Sequence, residues 1–174
     1  MSETIKKKKE KPAFLEKAVL IAKGNKFEEF KIGQVFEHHW GRTLNSGDNS
    51  LFTTLTLHFN PMYFNEGYAK QHGHEKIVLN PLLIFNTVLG LSVEDLSEAG
   101  GPFLGINDLI YHKDMYEGDT INAVSTVLDK RESAKRPTMG IVTWHTKGYN
   151  QDGELTIEFK RSNLVAKKGQ MAKI

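Results

Sequence analysis

The segment Asn80-Pro-Leu-Leu-Ile-Phe-Asn-Thr-Val-Leu-Gly-Leu91 decides the fold of this chain. Asn is favoured at the N-cap of a helix and Pro at its first position, so this segment predicts a helix that begins at Asn80-Pro81. The residues that follow are apolar on nearly every side, which is typical of a buried helix. We therefore expect a central buried helix that runs to about Ser97 and stops before Gly100-Gly101.

Segments on both sides of this helix show the alternation and turn residues of β-strands. Strands are predicted over 33–44, 103–112, 120–131 and 138–149 and from 155 onward. Short helices are predicted over 51–55, behind cap residues in 46–49, and over 66–71, with turns at 60–62, 116–119 and 150–153. The last four strands predict an antiparallel meander. This order of elements indicates an α+β fold in which a curved antiparallel sheet wraps around the buried helix.

Composition excludes several classes of protein. The 174 residues suit a single domain. Because the chain has no Cys, a disulfide scaffold, a Cys-ligated zinc site, an iron–sulfur cluster and a Cys nucleophile are excluded, and we expect a reducing, cytoplasmic setting. There is no apolar run long enough for a membrane span and no apolar stretch of a signal peptide, so we expect neither.

The net charge of +2 conceals an uneven distribution. Residues 1–11 hold five Lys and two Glu, and residues 167–174 hold three Lys and no acid, whereas the body between them is net acidic. We expect a solvated basic arm over 1–11, one domain over 12–167 that opens with an amphipathic stretch, and a basic tail over 168–174. A solvated arm is preferred to contact with nucleic acid or an acidic membrane, so no nucleic-acid partner is expected.

Several short motifs, in a consistent order and spacing, resemble those of a known family. They are Phe59-Asn-Pro-Met-Tyr-Phe-Asn65, the helix start at Asn80-Pro81, Glu117-Gly-Asp-Thr120, Asp129-Lys-Arg-Glu-Ser133, Arg136-Pro137, Gly140-Ile-Val-Thr143 and Asn150-Gln-Asp-Gly153. Over residues 28–167 the chain resembles the MaoC-like hydratases, which have the hot-dog fold. The last four motifs are similar to the branch that contains the mesaconyl-CoA hydratases, also called β-methylmalyl-CoA dehydratases.

This resemblance implies addition or removal of water across the 2,3-double bond of an acyl thioester carried by CoA or by an acyl carrier protein, with no separate cofactor. The family motif is Asp-x-Asn-Pro-x-His-x-Asp, whose first Asp and His flank the reacting water. In this chain His58 replaces the first Asp of the motif, Tyr63 replaces the His and Asn65 replaces the last Asp. Asn60 is the same residue as the motif Asn. We expect His58 to act as the base and Tyr63 to donate a proton or orient the water. Asn60 and Asn65 are expected to hold the water or fix His58.

The helix start departs from the family as well. Members commonly have His-Gly there, and the Gly N–H helps to bind the thioester oxygen. Pro81 has no N–H to donate. Asn80 fits the mesaconyl-CoA branch, and the Leu82 N–H together with the helix dipole is expected to take over part of that binding.

Two further clusters are open to functional interpretation. The segment 130–136 is basic and forms either a solvated hairpin end or a site in which Lys135 and Arg136 contact CoA phosphates. His38-His39 and His72-Gly-His74 predict no metal site, because adjacent residues of a strand point to opposite faces and no third ligand follows from the sequence.

Three functions stay open at this point. The preferred one is an acyl-CoA hydratase or dehydratase, and the alternative is a catalytically silent module that binds acyl-CoA. A thioesterase is disfavoured because residues 80–93 hold no acid, and Glu94 and Asp95 come only near the far end of the helix. Long edge strands of such a sheet are often covered by a partner, so we expect a homodimer.

Overall fold

The computed structural model describes residues 23–170. Its helices are α1 (Ser46–Thr56), α2 (Glu66–Gln71), α3 (Pro81–Leu91) and α4 (Val93–Leu96), with 3₁₀ turns at Phe27–Glu29 and Pro61–Tyr63. Its strands are β1 (Val35–Thr43), β2 (Phe103–Tyr111), β3 (Thr120–Glu132), β4 (Met139–Tyr149) and β5 (Leu155–Ala166). The predicted basic arm, most of the predicted amphipathic stretch and the end of the basic tail lie outside the described residues.

The five strands form one antiparallel sheet in the order β1-β3-β4-β5-β2. Strands β3, β4 and β5 are consecutive hairpin neighbours, as predicted, and Gly153 supplies the positive φ of 76° in the last turn. The prediction that β2 belongs to the same meander is wrong, because β2 pairs with β5 and β1 takes the place beside β3. Since α3 intervenes between β1 and β2, the chain crosses the sheet before it forms β2 at the opposite edge.

Helix α3 begins where the sequence predicts, and the side chain of Asn80 caps its first turn. It ends at Leu91 rather than near Ser97. The reason is local: the buried Ser92 bonds back to the Leu89 carbonyl through both its N–H and its hydroxyl, and the short α4 follows. The predicted single helix is therefore two helices with a break at Ser92.

Helix α3 packs closely on the sheet along one face only. Ile84 and Val88 are buried there, with Leu44, Leu79, Met115, Ile121 and Phe159 in the same cluster. A Cβ at Gly148 would lie 2.8 Å from Val88 Cγ2, so this contact leaves room only for glycine. On the opposite side of α3, Leu82, Asn86 and Gly90 are exposed in the single chain. The helix that the pattern describes as apolar all round thus has one buried and one accessible face.

A second buried region joins β1 to α4 through a histidine. His38 and His39 point to opposite sides of β1, as predicted for neighbours in a strand, and His38 is the buried one. His38 Nδ1 lies 2.6 Å from Asp95 Oδ2, and its Nε2 lies 2.9 Å from Ser125 Oγ. Burial lowers the pKa of His38, and the hydrogen bond to Asp95 opposes this shift without overcoming it. His38 therefore has a structural role.

Within residues 23–170, no group of three His, Cys, Asp or Glu side chains is placed to hold a metal ion. No helix in that range has the length and apolar character needed to cross a membrane.

Candidate functional site

The residues of the Asn-Pro motif lie on one short segment between α1 and α2. Leu57 takes a left-handed φ of 56° and ends α1. Asn60 Oδ1 then accepts the Met62 N–H at 3.1 Å and opens the 3₁₀ turn. Asn65 Oδ1 accepts the Tyr68 N–H at 3.0 Å and opens α2. Both asparagine oxygens therefore act as helix caps, and the Asn65 side chain is used to shape the segment.

His58 is oriented by the residue that caps α3. Asn80 Oδ1 accepts the Leu82 N–H at 3.0 Å, so the other amide atom, Nδ2, is the one that lies 3.2 Å from His58 Nδ1. An amide nitrogen only donates, which makes Nδ1 of neutral His58 the acceptor and leaves the ring proton on Nε2. The Nδ1 lone pair is occupied, and neutral His58 presents an N–H rather than a base.

Asn80 also engages the first N–H groups of α3. The Leu82 N–H bonds to its side chain, and the Leu83 and Ile84 N–H groups bond to its carbonyl at 2.9 and 3.1 Å. Pro81 has no N–H. The Leu82 N–H, which the sequence analysis expects to bind the thioester oxygen, is therefore already hydrogen-bonded to the Asn80 side chain. Hydrogen bonds to a thioester oxygen at the start of α3 must come from side chains.

One buried residue that sequence reasoning missed holds the site together. The Asn49 side chain donates to the carbonyls of Tyr63 at 2.7 Å and Val78 at 3.0 Å, and it accepts the Asn80 N–H at 2.7 Å. The sequence shows this residue only as part of the expected cap of α1, a role that Asn45 fills instead. No sequence signal separates Asn49 from the other expected cap residues, because its burial follows only from the packing of α1.

Two phenols stand next to one another at this end of the molecule. The Tyr63 ring packs edge-on against His58 with centroids 5.2 Å apart. Burial raises the pKa of Tyr63, although a hydrogen bond with the Asn60 side chain works in the other direction. Tyr111 donates from its hydroxyl to the Pro81 carbonyl at 2.8 Å, and burial together with nearby Tyr63 raises its pKa to about 12. Both phenols are protonated near neutral pH, so Tyr63 is a hydrogen-bond donor and a poor proton acid.

A cavity of about 220 Å³ opens beside the start of α3. Its walls come from the 3₁₀ turn, α3, the end of β2 and the segment that follows β2, including Asn60, Tyr63, Pro81, Tyr111, His74 and Asp114. Asn60 and Tyr63 thus face the cavity, and His58 contacts Tyr63 and Asn80 beside it. The cavity brings together residues that are far apart in the sequence. No motif in the sequence indicates that Tyr111 and Asp114 belong to this site.

Lys135 and Arg136 lie elsewhere. They border a separate concavity of about 290 Å³ with Leu104, Ile141 and Leu164, at the start of β2. Tyr111, at the other end of the same strand, lies seven residues from Leu104, or about 23 Å at the usual rise of a strand. Within one chain the structure does not bring this basic pair together with the residues around Asn80.

The acidic residues beyond α3 are already engaged. Glu94 accepts a bond from the Trp40 indole at 3.1 Å, and Asp95 pairs with His38. Neither carboxylate lines the cavity beside Asn80. The carboxylate that does line the cavity, Asp114, belongs to the segment after β2, so α3 itself still offers no acid for a hot-dog thioesterase.

Comparison with known proteins gives consistent relatives. The family model for mesaconyl-CoA hydratase matches residues 8–173. The mesaconyl-CoA hydratase of Haloarcula hispanica is 34% identical over 157 residues, which are 90% of this chain and 44% of that protein. The chain thus spans less than half the length of this curated relative.

Solved structures with the same architecture are also similar. A MaoC domain protein dehydratase from Chloroflexus aurantiacus is 30% identical with a TM-score of 0.79, and the match covers 87% of this chain and 42% of that one. A Mycobacterium tuberculosis protein described as a double hotdogfold is 19% identical with a TM-score of 0.72, and the match covers 87% of this chain and 47% of that one. The fold expected from the sequence, a hot-dog fold of the α+β class, is confirmed.

Proposed function

Because the chain belongs to the mesaconyl-CoA hydratase family, we propose that it takes part in the addition or removal of water across the 2,3-bond of an acyl-CoA thioester. The observation that carries this proposal is the cavity at the start of α3, where Asn60 and Tyr63 of the altered motif meet Tyr111. A carrier-protein thioester would present the same acyl group and is the second form of substrate. No further cofactor is required by this chemistry.

His58 and Tyr63 hold the thioester oxygen in this proposal. Negative charge develops on that oxygen when water attacks C3, and neutral donors aimed at it stabilise the transition state. His58 offers Nε2–H and Tyr63 its hydroxyl, which together replace the N–H that Pro81 lacks. This assigns the pair the role of donors instead of the base and acid that the motif comparison suggests.

A homodimer would complete the binding site. Strand β2 is at the edge of the sheet, and Phe103, Leu104, Ile110 and Tyr111 along it are exposed large apolar side chains. The Haloarcula hispanica relative and the double-hotdog protein of Mycobacterium tuberculosis are each about twice as long as this chain. Their length allows a second hot-dog unit beside the first. We assign that place to a second copy of the chain.

Two copies related by a two-fold axis would place their β2 strands antiparallel. The start of one β2 would then lie beside the end of the other, where Tyr111 and the cavity are. Lys135 and Arg136, which border the concavity at Leu104, would reach the neighbouring copy's cavity entrance and bind CoA phosphates there. Lys130 takes no part, because its ammonium donates to the carbonyls of Phe27 and Phe30 at 2.9 and 2.8 Å.

The test uses the full chain with mesaconyl-CoA and, separately, a trans-2-enoyl-CoA, and follows the loss of absorbance of the conjugated thioester. We expect turnover on at least one of them, and a loss of most of it in His58→Ala. Acyl-CoA binding in calorimetry without turnover on either substrate would instead identify the silent binding module, which the engaged N–H groups of α3 favour as the second candidate.

A further inference from the structure

A histidine that the motif comparison leaves aside faces the cavity. His74 follows α2, and its side chain is 19% exposed. Its Nδ1 lies 3.0 Å from the Tyr116 hydroxyl and 3.9 Å from Asp114 Oδ2. His74 and Asp114 line the same cavity as Tyr63 and Tyr111.

The Tyr116 hydroxyl fits either tautomer of His74, and the charge of Asp114, 3.9 Å from Nδ1 and beyond hydrogen-bond distance, distinguishes the two. The Asp114 carboxylate on the Nδ1 side favours a proton on that nitrogen, and the Tyr116 oxygen can accept it. Burial raises the pKa of Tyr116, with Asp114 adding to the shift, so its hydroxyl stays neutral. Within the part of the chain that the structure describes, no side chain is bonded to Nε2 of His74, so that atom keeps its lone pair.

Hydration needs a group that takes a proton from water and returns one to C2. His58 cannot serve through Nδ1, which accepts from Asn80, and the raised pKa of Tyr63 makes it a weak acid. Lys113 also lines the cavity, but its ammonium is paired with Glu154, which raises its pKa and keeps it charged. Asp114 also lines the cavity, but its side chain is 63% exposed against 19% for His74, so the unused imidazole nitrogen of the more enclosed His74 is the group that we assign to this task.

We propose that His74 is the acid–base residue of this site and that Asp114 is the residue that positions it, an inference that rests on the proposed hydration function. His74 Nε2 removes a proton from water as the water oxygen bonds to C3. The π electrons of the C2–C3 bond move toward the thioester oxygen, which Tyr63 and His58 hold. The imidazolium then returns its proton to C2, so one water has been added and His74 is neutral again. Dehydration is the reverse of these steps.

His74→Ala and His74→Gln test the assignment, with His72→Ala as the matched control. His72 lies two residues away, stacks on Tyr68 with centroids 4.1 Å apart and does not line the cavity. We expect kcat on the active enoyl-CoA to fall by about 100-fold or more in both His74 variants, the usual contribution of general acid–base catalysis. The dissociation constant for acyl-CoA should change by less than threefold, and His72→Ala should retain wild-type kcat.

The pH profile separates a chemical role from a structural one. The kcat/KM of the wild type should fall toward acid pH, and this limb should be missing from the residual kcat/KM of His74→Gln. Asp114→Asn should lower kcat by about tenfold and shift the limb to lower pH, because the imidazolium loses a nearby negative charge. Glu37→Gln, at an exposed carboxylate of β1 on the opposite edge of the sheet, is its control.

The outcomes are distinguishable. A wild type without turnover overturns the proposed function and this inference with it. An active wild type whose folded His74→Gln retains more than a third of kcat, or keeps the acid limb, overturns the inference alone. If His74→Ala does not fold, as judged by circular dichroism, the His74→Gln result decides.

Discussion

The side-chain oxygen of Asn49 accepts the backbone N–H of Asn80 at 2.7 Å, and this bond joins the interior of α1 to the residue that starts α3. The amide nitrogen of the same side chain holds the Tyr63 and Val78 carbonyls. Asn49 is fully buried, so no solvent replaces these partners when it is lost. The position of Tyr63 relative to α3 therefore depends on one side chain that does not face the cavity.

Replacing Asn49 by Ala should lower the free energy of unfolding by about 3 kcal/mol, because it leaves buried polar groups of the backbone unpaired. Asn49→Asp should be nearly as harmful, since a carboxylate accepts the Asn80 N–H but cannot donate to the two carbonyls. Urea unfolding measures both. Asn45→Ala, which removes only the cap of α1, should cost about 1 kcal/mol. Equal losses at positions 45 and 49 would contradict the central role of Asn49.

Asn80→Asp should change the tautomer of His58. The carboxylate still accepts the Leu82 N–H, but it no longer donates to His58 Nδ1 and favours a proton there. Nitrogen-15 NMR of labelled histidines, with His58→Ala to assign the signal, reports which ring nitrogen carries the proton. A wild type that already carries its proton on Nδ1 would refute the orientation of Asn80 described above.

Mixed dimers test whether Lys135 and Arg136 act on the neighbouring copy. A dimer of one His58→Ala chain and one Lys135→Glu, Arg136→Glu chain retains one complete site if the basic pair acts across the dimer, so about half of the wild-type activity should remain. The reciprocal dimer, with all three substitutions in one chain and none in the other, should be nearly inactive.

The opposite result in these two dimers would show that the basic pair serves its own chain. A protein that remains monomeric in sedimentation at assay concentration would remove the dimer from the proposal. A chain with Lys23→Glu and Lys31→Glu, at two exposed residues outside both concavities, controls for the same change of −4 in net charge.

The buried His38 should make stability depend on pH. Its pKa is lowered in the folded protein, so the unfolded chain binds the proton more readily. The stabilising contribution of neutral His38 is therefore fully present above its pKa in the unfolded chain, about 6.5. It is lost as the pH falls through the lower pKa of His38 in the folded protein. The urea midpoint should drop between pH 7.5 and 5.5, and His38→Gln should drop less over the same range. An equal drop in both proteins would assign the dependence to other groups.

The local structure of this protein could be predicted well from sequence. Caps, turn residues and periodicity predict three features correctly: the start of α3 at Asn80-Pro81, the bounds of α2, and the hairpin turn that ends at Gly153. These signals act over a few residues, so the printed sequence contains them directly. The Asn-Pro motif likewise identified the segment that carries His58 and Tyr63, and with it one side of the cavity.

The order of the strands and the chemistry of the site depended on contacts between distant residues. β2 lies beside β5 because the chain crosses the sheet with α3, which no local pattern records. Asn49 meets Asn80, and His74 meets Asp114, only after the helices have packed on the sheet. The hydrogen bond from Asn80 determines which nitrogen of His58 carries a proton, and the Tyr116 hydroxyl bonds to Nδ1 of His74 and leaves its Nε2 unused. The sequence by itself determined the elements and the segment of the site, while tertiary packing decided which polar atoms of that site are already engaged.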